Sequence, residues 1–148
     1  VYFVPLVISS GGNSGSQASS LVIRGLAVRE MELRDWWRVF GREVLMGLGL
    51  GIILGMIGFV RAWTWEKNWL VCFIVGISLV GVVTFGSIAG AIMPFGIKKL
   101  KMDPAVSSSP FIASLVDVAG IVIYFNVALW MVRVIGPMFG LPVPSVGG

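Results

Sequence analysis

Residues 103–133 read DPAVSSSPFIASLVDVAGIVIYFNVALWMVR. The part from 110 to 133 is apolar and long enough to cross a bilayer, and its one carboxylate is Asp117. An acid at that depth costs about 2.5–3.5 kcal/mol on insertion scales. Such groups are therefore rare, face the interior of a bundle and mark ion or proton paths. What neutralises Asp117 is the question the other residues must answer.

The whole chain has the composition of a membrane protein. Of its 148 residues 57% are hydrophobic and 12% charged, where soluble domains run at roughly 45–50% and 25%; mean hydropathy is +0.95. The expected class is an all-α integral membrane protein, a polytopic helical bundle with helices at about 1–27, 44–60, 69–93 and 110–133. The formal charge of +4 comes from Lys and Arg gathered in connecting segments, which is membrane topology rather than nucleic-acid binding. There is no His, and Cys72 is the only Cys. That excludes disulfides within the chain, thiolate zinc clusters and His-based catalysis. Cys72, inside an apolar run, reads as a small hydrophobe. The chain starts at Val1 without the basic flank of a signal peptide, so it reads as a fragment cut inside a helix.

GGNSGSQASS at 11–20 has the composition of a flexible linker. Both flanks are apolar, however, and a helix over 5–27 would be about 34 Å long, enough to cross. Its middle would hold Asn13, Ser14, Ser16 and Gln17 away from lipid. Composition leaves linker and pore helix both open. Residues 29–43 place Leu33, Trp36, Trp37 and Phe40 on one side and Arg34, Asp35, Arg38 and Arg42 toward the other. This suggests an interfacial helix, with Glu30 and Arg34 spaced for an i,i+4 pair. In 44–60, Gly47, Gly51 and Gly55 share one face and predict close helix packing. The turn 61–69 carries three Trp, an aromatic belt. The next span is expected to stop at Pro94, and its Thr84 and Ser87 to bond back to carbonyls of the preceding turn. Asp103-Pro104 and Ser109-Pro110 each read as an N-cap followed by a first-turn Pro, giving a short helix and then a restart into the last span. Ser107, Ser108 and Ser109 either cap that restart or line a mouth.

Lys and Arg number five in 24–42, two in 61–69 and three in 98–101. The positive-inside rule then puts 28–43 and 98–109 in the cytoplasm, and 61–69 and the C-terminus outside. The expected location is the cell (inner) membrane, multi-pass.

On the last helix Pro110, Ser114, Asp117, Ile121 and Tyr124 step by three and four and form one stripe, with Ala113 and Gly120 leaving space around the acid. Arg133 is about 24 Å away along the axis, so an ion pair within the helix is excluded. The carboxyl is either protonated or holds a cation. One copy has too few helices to enclose a wet path. A twofold axis would bring two Asp117 stripes together, and two carboxylates repel unless a cation lies between them. Oxygen ligands without His or thiolate suit Mg²⁺ or Ca²⁺. Mg²⁺ sheds its waters reluctantly, so widely set carboxylates would hold it through its hydration shell, loosely enough for release.

Pro5, then Gly11-Gly12-Asn13-Ser14-Gly15-Ser16-Gln17 and Arg24-Gly25-Leu26-Ala27, resemble the second transmembrane helix of the MgtE family of magnesium transporters and channels. Asp103-Pro104-Ala105, Ser109-Pro110, Leu115-Val116-Asp117-Val118-Ala119-Gly120 and Tyr124-Phe125 resemble that family's fifth helix. The resemblance implies a homodimer with five helices per subunit. Its pore would lie between the second and fifth helices at the dimer interface, and a fifth-helix Asp would hold hydrated Mg²⁺, the transported and pore-bound ion. That role falls to Asp117, the polar second-helix Asn corresponds to Asn13, and the Gly/Ser stretch becomes pore wall; on this reading Ser114, Asn13 and nearby backbone carbonyls would be secondary ligands to the ion's waters. The first helix and the cytoplasmic N-terminal and CBS domains of the family pattern have no counterpart in these residues, which puts gating by cytosolic magnesium in doubt for them. The partners implied are a second copy, the lipid bilayer and divalent cations, with no nucleic acid. Two other readings are a Na⁺- or H⁺-coupled Mg²⁺ carrier and a non-transporting membrane subunit whose Asp117 binds a partner's basic helix. An enzyme is not expected, because Asp103 and Asp117 make no acid–base pair.

Overall fold

The computed structural model describes residues 2–103 and 109–139. They form four long helices: α1 (Val4–Ala27), α2 (Trp36–Glu66), α3 (Trp69–Lys99) and α4 (Ser109–Val134), with 3₁₀ turns at Leu33–Asp35 and Gly136–Phe139. The stretches Leu33–Glu66, Trp69–Lys99 and Ser109–Val134 are long and apolar enough to cross a membrane, so this is a multi-pass membrane protein. α3 is the central element, packed against α1, α2 and α4, while α1 also packs on α4.

The 11–20 stretch is helix throughout, which removes the linker reading. Pro5 lies in the first turn of α1, where its missing N–H costs nothing. The hydroxyls of Ser10, Ser16 and Ser20 donate to the carbonyls of Leu6 (2.7 Å), Gly12 (2.8 Å) and Ser16 (2.8 Å) four residues back. These bonds satisfy side chains that lipid would strand. The glycines serve packing. A Cβ on Gly86 would strike the carbonyl of Gly11, and one on Gly90 the backbone of Gly15. Two small-residue pairs, four apart on each helix, thus let the backbones of α1 and α3 touch.

α2 meets α3 through the predicted glycine face. A Cβ on Gly47 would lie 2.9 Å from the Cα of Thr84, one on Gly51 3.0 Å from that of Val80, and one on Gly55 2.8 Å from the carbonyl of Gly76. There is no separate helix over 29–43. The helix begins at Trp36 after the 3₁₀ turn and runs unbroken into the span, because no residue between Gly41 and Val44 breaks it. Glu30 precedes the helix, so Arg34 pairs instead with Glu32 at 2.9 Å.

α3 likewise passes through Pro94 and ends at Lys99. Proline removes one backbone bond, but Pro94 and Phe95 are buried, and Ala91 and Phe95 pack with Ala18, Val22 and Leu26 of α1. That contact holds the helix together. The expected turn over 61–69 is shorter than the sequence suggests: α2 carries Trp63 and Trp65 and runs to Glu66, Lys67 ends it in left-handed conformation (φ 49°), and Asn68 caps α3 by accepting from the Leu70 N–H at 2.9 Å. Trp63 stacks near Trp69, ring centres 4.2 Å apart. Cys72 is buried in the core around Val75, Leu79 and Met131. Thr84 and Ser87 do not bond back. Ser87 shares a 2.6 Å hydrogen bond with Ser14 of α1, and the buried Thr84 hydroxyl has no partner.

The expected short helix at Asp103-Pro104, with Ser107 and Ser108, falls outside the described residues. Ser109 is the first residue of α4, and its hydroxyl shares a 2.6 Å bond with that of Ser20. The Ser16 hydroxyl reaches the Ser109 carbonyl at 3.1 Å. The start of α4 is thereby tied to α1.

Candidate ion site

α4 docks through Ile112, Val116, Gly120 and Tyr124, all buried and spaced by four. The stripe expected to carry the ion lies mostly beside this face. Pro110, Ser114 and Ile121 are exposed, and Tyr124 belongs to the docking face. Asp117 lies beside that face, half-buried and turned toward α1. Gly120 does not leave space around the acid; its Cα side packs on Val82 of α3, where an added Cβ would come within 3.1 Å.

The nearest part of α1 to Asp117 is Gly12. A Cβ there would clash with Asp117 Oδ1 and lie 3.5 Å from the Ala113 carbonyl. The absence of a side chain at Gly12 therefore lets the carboxylate approach α1 closely. Asp117 Oδ1 is buried without a hydrogen-bond partner. A groove of about 370 Å³ runs along this contact, lined by Pro5, Ile8, Ser9, Gly12, Asn13 and Asp117, with Val4 and Ala113 at its edges. No Lys or Arg lines it. The residues lining the groove supply no counter-ion for this carboxyl group.

Two of the three residues expected from the sequence meet here. Asn13 and Asp117 share the groove, Asn13 being exposed between the buried Gly12 and Ser14. Ser114 is outside the lining, and its hydroxyl donates to the Pro110 carbonyl at 3.0 Å. Among the described residues no cluster of three acids, Cys or His exists, so an ion here would rely on few carboxylates and keep most of its own water.

The sequence reading passed over two residues. Gly12 carries no functional group, and only its pairing with Gly11 drew notice. Glu43 is a buried acid, 7% exposed, that pairs with Arg42 at 3.1 Å and faces a groove with Ser14, Gln17 and Ser87. The available signal was its position four residues before Gly47, in line with Gly51 and Gly55.

Gly12→Ala should displace the Asp117 carboxylate without altering any ligand group. A roughly ten- to hundredfold loss of affinity for a divalent cation is expected, the range for residues that orient ligands. It is read by titrating the purified protein with Mg²⁺ against wild type. Equal affinity would mean that the carboxylate does not use this space.

The family described as MgtE, divalent cation transporter, matches residues 4–127. Three curated proteins named magnesium transporter MgtE are similar. That of Thermus thermophilus is 42% identical over 127 residues, 86% of this chain and 28% of the relative. That of Bacillus subtilis is 35% identical over 127 residues, 86% and 28%, and that of Enterococcus faecalis 33% over 131 residues, 88% and 29%. The chain thus spans less than a third of the length of these relatives.

Proposed function

This chain belongs to the MgtE family of divalent cation transporters, and on that premise we propose that it forms part of the membrane path for Mg²⁺, its cargo, with Asp117 as the ion-holding group. The supporting observation is the buried, partnerless Asp117 Oδ1 in a groove that contains Asn13 and no basic side chain. A carboxylate attracts the ion, and the Asn13 amide can hydrogen-bond to its waters. Ser114 would join only if its hydroxyl left the Pro110 carbonyl. Hydrated Mg²⁺ is held through its water shell, so it binds and leaves without full dehydration.

The path is completed by a second copy. In one chain the groove has α1 on one side and α4 on the other and is open outward. α4 carries exposed Val118, Val122 and Phe125, apolar surface suited to helix contacts. A twofold axis beside the groove opposes two Asp117 carboxylates, with one divalent ion offsetting both charges. The expected location is the cell membrane, with 28–43 and 98–109 on the cytoplasmic side by their excess of Lys and Arg.

A Mg²⁺ titration of the purified protein, followed by thermal unfolding, tests this reading. Wild type is expected to gain stability with rising Mg²⁺, since an ion that binds only the folded state stabilises it. Asp117→Ala should abolish most of that gain. An equal gain in both would overturn the assignment.

A further inference from the structure

A second groove, of about 470 Å³, lies at the basic end of the bundle between the start of α2 and the end of α3. Its walls are apolar: Leu33 and Trp36 on one side, Ile92 and Phe95 on the other. Leu33 and Trp36 are 42% and 44% exposed, so apolar surface on this wall is accessible. Gly96 forms part of the lining, and nothing lies within 4 Å of the Cβ it lacks, which leaves width for a chain of methylenes. The rim carries Arg34 and Lys99. Arg34 is bonded through Nε to Glu32, so that pair is nearly neutral and Lys99 supplies the net charge.

We propose that this groove binds an anionic diacyl phospholipid, its phosphate at Lys99 and Arg34 and an acyl chain along Trp36, Ile92 and Phe95. An apolar trough ending in cations is complementary to an amphiphile with a negative head, and basic pockets between membrane helices bind such headgroups. Charge at this end favours the same occupant. Eight of the eleven Lys and Arg residues lie in 24–42 and 98–101, against three of the seven Asp and Glu, namely Glu30, Glu32 and Asp35. The indole of Trp36 suits the headgroup level. The site is separate from the Asp117 groove and shares no residue with it.

The test uses purified, delipidated protein in detergent, with phosphatidylglycerol or phosphatidylcholine of identical chains. Thermal unfolding reads stabilisation, and native mass spectrometry counts retained lipid. Wild type is expected to prefer phosphatidylglycerol. Arg34→Gln with Lys99→Gln should lower that preference by about fivefold per charge, roughly thirtyfold together. Lys99→Arg should keep it, as should Arg61→Gln at the other end. Equal binding of the two lipids by wild type would overturn the proposal, as would an unchanged preference in the double variant. If the double variant melts lower without lipid, the mass spectrum decides: wild-type phosphatidylglycerol retention overturns the site and selective loss supports it. Glycerol phosphate reproducing the full stabilisation would show a phosphate site without an acyl chain, and overturns it too.

Discussion

Asp117→Asn is expected to reduce Mg²⁺ flux into liposomes to the level of protein-free vesicles while the protein remains folded. The substitution keeps the shape of the side chain and its fit against Gly12, so the α1–α4 contact should survive. What it removes is the negative charge. The groove contains no other acid, so nothing compensates for the loss. An amide can still hydrogen-bond to an ion's waters, but it cannot offset the cost of moving a dication into a medium of low dielectric. The measurement is Mg²⁺ entry reported by a trapped indicator, with unfolding temperature and oligomeric state as controls. Asp117→Glu is a useful second variant: it restores the charge but lengthens the side chain into a space bounded by Gly12, and should give partial flux. Wild-type flux through Asp117→Asn would show that the ion takes another route.

Gly90→Val is expected to have the largest effect on stability. The Cβ of any residue there would overlap the carbonyl and Cα of Gly15, and these are backbone atoms that cannot rotate away. Overpacking costs about 1–3 kcal/mol where side chains can yield, so a loss at or above the top of that range is expected here. Gly49→Ala is the control. Nothing lies within 4 Å of its Cβ, and the change should be neutral or stabilising by up to about 1 kcal/mol through helix propensity. Unfolding temperatures in detergent compare the two. If Gly90→Val unfolds like wild type, α1 and α3 are not held at backbone contact. The same variant should also lower flux, because the position of α1 on α3 sets where Gly12 meets Asp117.

Much of this protein is legible in its residues. Composition alone places it in a membrane. Asp117 stands out because a charge in an apolar run has no local explanation, and the Gly47–Gly51–Gly55 repeat announces close packing because spacing by four puts all three on one face. Those inferences need only the geometry of a single helix.

Other features depend on how one helix is rotated against the next, which spacing does not contain. In α4 the residues facing lipid and those facing α3 are equally apolar, so the contrast that orients a helix in a soluble protein is missing. The stripe through Ser114, Asp117 and Tyr124 is a real periodicity, while the face packed within the chain is Ile112, Val116, Gly120 and Tyr124. The identity of 11–20 as helix was decided by α3, whose Gly86 and Gly90 accept the glycine backbone of α1. Pro94 stays helical for a similar reason, since Phe95 is buried against α1. Residue spacing thus determined which groups could share a face; only the packed helices decided that the face of Asp117 meets a glycine, and that the cavity this leaves belongs to a carboxylate oxygen.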